Sequence, residues 1–147
     1  MIRLAEKSDI DALLPLIEGY WRFEGFPNFE EARIRRNLDW LFRHRDAGEV
    51  HLALKRGQAI GYLLLVYNFS LEHAGLMADI DEFYIADAHR SKGTGAALLA
   101  AAEATARARG CRSLMLQVGQ RNTRARAFYV KTGFHPRSGF ELLEKEL

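Results

Sequence analysis

The sequence predicts an α/β domain in which helices pack on a mixed sheet, and three observations support this. Helical and strand patterns alternate over 147 residues in the order β-α-α-β-β-β-α-β-α-β. Two apolar strand patterns within residues 50–69 flank a turn signal, which indicates an antiparallel hairpin. A strand at 79–85, a helix at 95–109 and a strand at 114–118 follow in the order of a parallel βαβ unit. A sheet containing both is mixed rather than purely parallel.

The first part of the chain is expected to supply a strand and two helices. Ile2–Leu4 predicts a short strand, and Ser8 is a plausible N-cap for a helix whose apolar residues recur at helical spacing. Pro15 falls inside that pattern, so we expect the helix to be short or broken. An apolar stripe over residues 30–44 predicts a second helix, and Gly48 is expected to end that element.

The remaining elements are the hairpin and the C-terminal half. The hairpin strands are expected at 50–55 and 59–69, around the turn Arg56-Gly57. Gly110 should stop the helix at 95–109, because glycine is favoured just after a helix C-terminus. A short helix from Asn122 to Thr132 follows, and Phe134–Leu147 is expected to return as a last strand or strand pair.

Composition excludes several classes of protein. The length fits one domain, 1–147, and 21 Lys and Arg against 19 Asp and Glu give a net charge of +2, too small to argue for a nucleic-acid partner. Cys111 is the single cysteine, which excludes a disulfide scaffold or zinc finger. No apolar run reaches the roughly 20 residues that span a bilayer, and no signal-peptide pattern is present, so we expect a cytoplasmic protein with no membrane partner.

One loop has the features of a diphosphate-binding turn. It lies between a predicted strand and helix and consists of Arg90, Ser91, Lys92, Gly93, Thr94 and Gly95. Its glycines allow close backbone approach, and the amides of the following helix start favour an anion. Lys92 precedes Gly93, unlike in a Walker A loop, and Leu98 replaces the third glycine of a dinucleotide fingerprint. The alternative is an ordinary strand-to-helix turn.

A second pattern occupies the last predicted helix. Asn122, Ala125 and Tyr129 are spaced to share one helix face, where the small Ala125 leaves room and Tyr129 offers a hydroxyl. The alternative is an amphipathic helix that is capped by Asn122 and carries a core tyrosine.

Taken together, the two patterns resemble the GNAT superfamily of N-acetyltransferases. Arg90, Gly93 and Gly95 match its Arg/Gln-x-x-Gly-x-Gly/Ala signature. A second family pattern is matched by Asn122, Ala125, Phe128, Tyr129, Gly133 and Phe134. The resemblance covers about residues 79–134, with departures at Asp87 and Ser91. It implies the GNAT fold, a central twisted mixed sheet of about six to seven strands with helices on both faces.

The resemblance also implies acetyl-CoA as co-substrate, held between the strands at 79–85 and 114–118, with no metal. The amide of Ile85 or its neighbour would polarise the thioester carbonyl, and Tyr129 would be the general acid for the departing thiolate. The implied cofactor-binding residues are Phe83, Ile85, Arg90, Ser91, Lys92, Gly93, Thr94, Gly95, Asn122 and Phe128.

Three carboxylates in the strand at 79–85 are candidates for the base that deprotonates the amine. Strict alternation places Asp79 and Asp81 on one face and Glu82 on the other, unless a bulge resets the parity. We favour Glu82, acting through a water, as the catalytic base, with Asp81 second. Ion pairing with nearby arginines is the alternative explanation for any one of them.

An acidic and aromatic acceptor site is expected beside these carboxylates. Its candidate substrate-binding residues are Trp21, Phe23, Phe26, Glu72 and Asp79. Such a site suits the primary amine of a small cationic molecule, which would attack the thioester directly. The aromatic residues have an equally weighted alternative, a hydrophobic plug that closes the core.

Other functions remain open from the sequence. They are acetylation of a protein N-terminus or lysine, a non-catalytic module that binds acyl-CoA, and a different nucleotide-binding domain that prefers ATP or NAD. The oligomeric state is also open, with a homodimer paired through the last strand as one alternative.

Overall fold

The computed structural model describes residues 1–147, which divide into two compact units, 1–117 and 118–147. The first unit contains a five-stranded sheet in the order β1-β2-β3-β4-β5 and three helices. Its strands are β1 (Ile2–Leu4), β2 (Gly48–Lys55), β3 (Gln58–Ser70), β4 (Gly75–Ile85) and β5 (Leu114–Leu116). Its helices are α1 (Ile10–Glu24), α2 (Glu31–Arg43) and α3 (Thr94–Ala108). The second unit contains α4 (Thr123–Lys131).

The sheet is mixed, as the sequence predicts. β1 to β4 pair antiparallel in chain order, and β5 runs parallel to β4, with Ala78 opposite Leu114. The hairpin β2–β3 and the unit β4–α3–β5 are therefore both confirmed. Gly48, expected to end the second helical element, instead begins β2, and α2 already ends at Arg43.

The strand predicted over Phe134–Leu147 is wrong, because this segment forms no regular element and the sheet has five strands rather than six or seven. Two residues explain why this segment forms no strand. Pro136 has no N–H to donate to a ladder, and Gly139 adopts a φ of +86°, outside the extended region.

The prediction that Pro15 breaks the first helix is also wrong. α1 runs unbroken for 15 residues through Pro15, after a 3₁₀ turn at Lys7–Asp9 that makes Asp9 rather than Ser8 its N-cap. Pro15 lies on the exposed side of the helix, where the carbonyl it leaves unbonded can reach water. The opposite side buries Leu13, Leu14, Leu16 and Ile17. Packing of that apolar face outweighs the local cost of the proline.

Helices cover both faces of the sheet. Val50 and Leu52 share the core with the apolar residues of α1 and α2. His51 lies between them and therefore points to the other face, where its Nε2 is 2.9 Å from Thr105 Oγ1 on α3. None of the four helices has both the length and the apolar character that a membrane span requires.

A buried polar cluster joins α3 to the sheet. The Glu49 carboxylate on β2 accepts hydrogen bonds of 2.8 Å from the Tyr67 hydroxyl and from Arg109. Burial by itself would raise the pKa of Glu49, but these two donors outweigh it and lower the pKa. The Arg109 guanidinium also lies 4.6 Å from the Tyr67 ring centroid. The cluster anchors the C-terminal end of α3, and so helps to orient the whole helix.

The buried His51 makes the stability of the protein dependent on pH. Its imidazole is 2% exposed, and burial lowers the pKa, opposed by the nearby Glu49. A histidine with a lowered native pKa contributes stability above its unfolded pKa of about 6.5, and that stability is lost as the pH falls.

We expect His51→Gln to show a shallower fall in the free energy of unfolding between pH 7 and 5. Urea unfolding at several pH values measures it. His135→Gln, which changes an exposed histidine, should keep the wild-type slope, and equal slopes for all three proteins would contradict the assignment.

Candidate active site

A β-bulge in β4 determines where the acidic side chains point. Leu64 lies opposite Glu82, whereas Leu65 lies opposite Ile80, so Asp81 is an extra residue with no partner position on β3. The bulge resets the alternation, and Asp79 and Glu82 share the sheet face that α1 covers. Strict alternation placed Asp79 with Asp81, so the bulged alternative is the one observed.

The Glu82 carboxylate accepts hydrogen bonds from two side chains on that face. The Tyr62 hydroxyl donates to one carboxylate oxygen at 2.7 Å, and Trp21 Nε1 donates to the other at 3.2 Å. Burial raises the pKa of Glu82, the neighbouring Asp81 adds to the rise, and the two hydrogen bonds oppose it. A carboxylate whose pKa is raised toward neutrality is a stronger proton acceptor than an ordinary surface glutamate.

Asp79 and Asp81 extend the negative charge around Glu82. Asp81 keeps solvent contact, yet the protein atoms around its carboxyl raise its pKa, and the charge of Asp79 adds to this. Asp79 accepts a 2.6 Å hydrogen bond from Asn68 Nδ2 on β3. Neither carboxylate has a salt bridge, so no lysine or arginine side chain is paired with them.

Beside the carboxylates, the pairing of β4 with β5 ends. The parallel pairing covers only Ala78–Ile80 on β4. The amide of Ala86 donates to the Ile60 carbonyl, and in an antiparallel ladder the peptide groups of alternate residues then face the other way. The N–H and C=O groups of Phe83 and Ile85 therefore point away from β3, toward the edge at which the earlier residues Ala78–Ile80 pair with β5.

The loop after β4 presents a helix N-terminus without a capping side chain. Gly93 is the N-cap of α3, with a φ of +83°, and no side chain accepts from the first helical amides. The first turn contains no acidic residue, so the amides and the helix dipole together favour an anion. Ser91 also has a left-handed φ of +59°, and Lys92 Nζ donates to the Ala88 carbonyl at 2.7 Å.

Arg90, the first residue of the loop, makes contacts in several directions. Its Nε donates to the Ile85 carbonyl at 2.8 Å, and one terminal nitrogen forms a 2.7 Å ion pair with Asp87. The guanidinium carbon lies 5.1 Å from the ring centroid of Phe23 and 5.2 Å from that of Tyr84.

An aromatic cluster forms at the end of α1. Gly25 adopts a φ of +73°, and the amide of Phe26 then donates to the Trp21 carbonyl, which returns the chain over the helix end. Trp21 packs edge-to-face against Phe26 and Phe29, at 5.7 Å between ring centroids in both pairs. Because Trp21 also donates to Glu82, the cluster borders the acidic site.

The second unit carries the remaining candidate residues on and beside α4. The Asn122 side chain accepts from the amide of Ala125 at 3.1 Å, which confirms the predicted helix cap. The Tyr129 ring lies 5.4 Å from Phe128 and 5.6 Å from Phe134, measured between ring centroids.

The structure groups most, but not all, of the candidates that lie in the first unit. Trp21, Asp79, Asp81 and Glu82 come together, with Phe26 against Trp21. Glu72 lies in the turn between β3 and β4, about 20 Å along β4 from Glu82 at the rise of an extended strand. Sequence reasoning missed Tyr62, because finding it requires the β3–β4 register on both sides of the bulge.

Comparisons with known proteins agree with this geometry. A family model described as the acetyltransferase (GNAT) family matches residues 11–134. YhfO, an uncharacterized N-acetyltransferase of Bacillus subtilis, is 28% identical over 146 residues, which cover 95% of this chain and 92% of the relative. The aminoalkylphosphonate N-acetyltransferase of Salmonella typhimurium is 32% identical over 134 residues, covering 90% and 83%. A solved integron cassette protein from the mobile metagenome of Cole Harbour Salt Marsh has a TM-score of 0.87 at 27% identity, over 99% of this chain and 90% of that one.

Proposed function

The chain belongs to the GNAT acetyltransferase family and is an acetyltransferase, and from this premise we propose that it moves the acetyl group of acetyl-CoA to the primary amine of a small cationic molecule. One observation supports the proposal most directly. The outward peptide groups of Phe83 and Ile85 lie on β4 immediately after the half-buried Glu82, where pairing with β5 has ended.

The residues of the first unit fit acetyl-CoA. Pantetheine carries amide groups that match the outward N–H and C=O groups of Phe83, whereas we assign the Ile85 N–H to the thioester carbonyl, and the Ile85 carbonyl accepts from Arg90. Its diphosphate matches the amides at the start of α3, because neither an acidic residue nor a capping side chain occupies that end. When bound, acetyl-CoA supplies an activated acetyl thioester. In the second unit we assign Asn122 and Phe128 to the pantetheine arm, on the family resemblance.

Each step of the proposed reaction uses a named group. Glu82 takes a proton from the substrate ammonium, directly or through a water, and so frees the nitrogen lone pair for attack. As the nitrogen–carbon bond forms, the Ile85 amide donates a hydrogen bond to the carbonyl oxygen, where negative charge develops. The carbon–sulfur bond breaks, and the Tyr129 hydroxyl gives its proton to the departing sulfur. The nitrogen then loses a second proton, which returns through solvent to the Tyr129 oxygen, so that the neutral amide forms, the Tyr129 hydroxyl is restored, and protons and charge balance. No covalent enzyme intermediate forms.

The acceptor is proposed to be cationic because of the charge around Glu82. Asp79 and Asp81 attract an ammonium, and the rings of Trp21 and Phe26 form an adjoining surface suited to cation–π contact. Phe23 stays a candidate for the same surface. Glu72, at the far end of β4, is the weakest of the proposed acceptor residues.

The loop glycine gives the first test of the cofactor assignment. A β-branched residue at Gly93 strains a φ of +83° and displaces the amides that precede α3. We expect Gly93→Val to weaken acetyl-CoA binding at least about tenfold in calorimetric titration, a ratio of about 1.4 kcal/mol. Gly110→Val is a matched control, because Gly110 has a φ of +84° at the other end of the same helix. Binding by Gly93→Val equal to that of Gly110→Val would remove the loop from the cofactor site.

The same titration separates the alternative functions. Preference of the wild-type protein for ATP or NAD over acetyl-CoA would overturn the acetyl-CoA proposal.

A panel of spermidine, phenethylamine, aminomethylphosphonate and an alanine N-terminal peptide then tests the acceptor. Turnover confined to the peptide would favour a protein acceptor, and turnover of aminomethylphosphonate alone would favour the activity of the Salmonella relative. Acetyl-CoA binding with no turnover of any amine would favour a non-catalytic module.

A further inference from the structure

We propose that Arg90 is a positioning residue for the acceptor side of the site, and that it acts by fixing the end of α1 to the end of β4. This inference rests on the proposed function, because it assigns Arg90 within the same site. The resemblance alone places Arg90 among the cofactor-binding residues; the contacts of its side chain point to a different task.

The guanidinium is already occupied by protein groups. Its Nε donates to the Ile85 carbonyl at 2.8 Å and a terminal nitrogen pairs with Asp87 at 2.7 Å. A planar guanidinium held at two nitrogens has a fixed direction, unlike a flexible lysine. To bind a diphosphate with these nitrogens, Arg90 would have to give up contacts that are already short. We therefore assign binding of the diphosphate to the backbone amides of Ser91–Gly95 and to the dipole of α3.

The same guanidinium lies against two rings from different elements. Phe23 comes from the last turn of α1 and Tyr84 from β4, at 5.1 and 5.2 Å from the guanidinium carbon. Tyr84 is itself fixed against α1, because a Cβ on Gly19 would lie 2.9 Å from the tyrosine hydroxyl. Cation–π contacts of this kind contribute about 0.5–1 kcal/mol at exposed sites and more when they are desolvated.

The position of this contact gives it a functional consequence. In α1, close to the Arg90–Phe23 contact, Trp21 donates a hydrogen bond to Glu82, and the left-handed turn at Gly25 brings Phe26 onto Trp21. The β4 side of the contact is Ile85, the proposed donor to the carbonyl oxygen. Arg90 therefore links the segment that borders the acceptor to the carbonyl of Ile85, the residue whose N–H is proposed to bind the acetyl carbonyl. Loss of this link should disturb the acceptor site more than the cofactor site.

The test compares Arg90→Gln and Phe23→Leu with the wild type. Phe23 is 54% exposed, so its substitution by another apolar side chain should leave the fold intact. Hydrogen exchange of peptides covering residues 20–29 should be at least about fivefold faster in both variants, while the Kd for acetyl-CoA stays within about threefold. In a Trp40→Phe background, where Trp21 is the single tryptophan, both variants should shift its emission to the red. With the best amine of the panel, KM for the amine should rise more than KM for acetyl-CoA.

Two further variants complete the comparison. Arg22→Gln removes an exposed arginine from the same turn of α1 and should leave the exchange rates unchanged. The double variant Arg90→Gln with Phe23→Leu should exchange no faster than Arg90→Gln alone, because Phe23→Leu removes a contact that Arg90→Gln has already removed. A loss of acetyl-CoA affinity above tenfold in Arg90→Gln, with unchanged exchange at 20–29, would overturn the proposal in favour of a phosphate ligand. Unchanged exchange and unchanged affinity would also overturn it. If wild-type protein does not bind acetyl-CoA, the proposed function fails, whereas the exchange data still decide whether Arg90 and Phe23 are linked.

Discussion

Replacement of Glu82 by glutamine is expected to lower kcat/KM for the amine by about 10²–10⁴-fold, the range that general bases contribute. The substitution removes the proton acceptor but preserves the packing. The amide oxygen of glutamine can still accept from Trp21 Nε1, and its NH₂ can donate to the Tyr62 hydroxyl, which is able to accept. The fold should therefore persist, and the loss can be assigned to chemistry. Steady-state kinetics from pH 5.5 to 9.5 measures it.

The pH profile gives the sharper evidence. Because burial raises the pKa of Glu82, the wild-type kcat/KM should rise with pH through that pKa, and this acidic limb should be absent in Glu82→Gln. Tyr62→Phe provides an independent check. The Tyr62 hydrogen bond holds the pKa of Glu82 down, so its removal should raise that pKa and move the acidic limb to higher pH. If Asp81→Asn abolishes the limb and Glu82→Gln does not, Asp81 is the base.

Replacement of Tyr129 by phenylalanine is expected to lower kcat by about one to three orders at pH 7. The proposed role is to protonate the departing thiolate, and the thiol of a free cysteine, a guide to that of CoA, has a pKa near 8.5. The leaving group needs this proton less as the pH rises, so the ratio of wild-type to variant kcat should shrink between pH 7 and 9.5. An unchanged rate at pH 7 would remove Tyr129 from the mechanism.

Val130→Ala is a suitable control for that measurement. Val130 follows Tyr129 on α4 and is 53% exposed, so its truncation alters the same helix without touching the proposed acid. A kcat equal to that of the wild type in Val130→Ala would assign the loss in Tyr129→Phe to the hydroxyl. A similar loss in both would indicate damage to α4 instead.

The helices and strands that are specified by local patterns were predictable from the sequence. α3 and its stop at Gly110, the hairpin β2–β3 and the Asn122 cap all depend on residues close together in the chain. The prediction for Pro15 failed because the strength of a proline break depends on which side of the helix it occupies and on how much the other side buries. That information is tertiary.

The acidic site was only partly predictable for a related reason. The three carboxylates are visible in the sequence, but their faces depend on the position of the bulge at Asp81. Tyr62 precedes Glu82 by 20 residues, and only the strand register brings its hydroxyl to the carboxylate. The side-chain contacts of Arg90 were also not predictable, because the family pattern specifies the residue type at this position but not the groups that its side chain contacts.

The bulge also makes the length of β4 as important as its composition. Because Asp81 is an extra residue, the side chains that follow it alternate between the two sheet faces in the opposite phase from those that precede it. Deletion of Asp81 itself would leave Ile80 opposite Leu65 and Glu82 opposite Leu64, whereas deletion of Phe83 with the bulge kept would turn the peptide groups beyond it to the opposite edge. A point substitution after Glu82 alters one side chain, whereas a deletion there that keeps the bulge would turn away the peptide groups with which Glu82 is proposed to act.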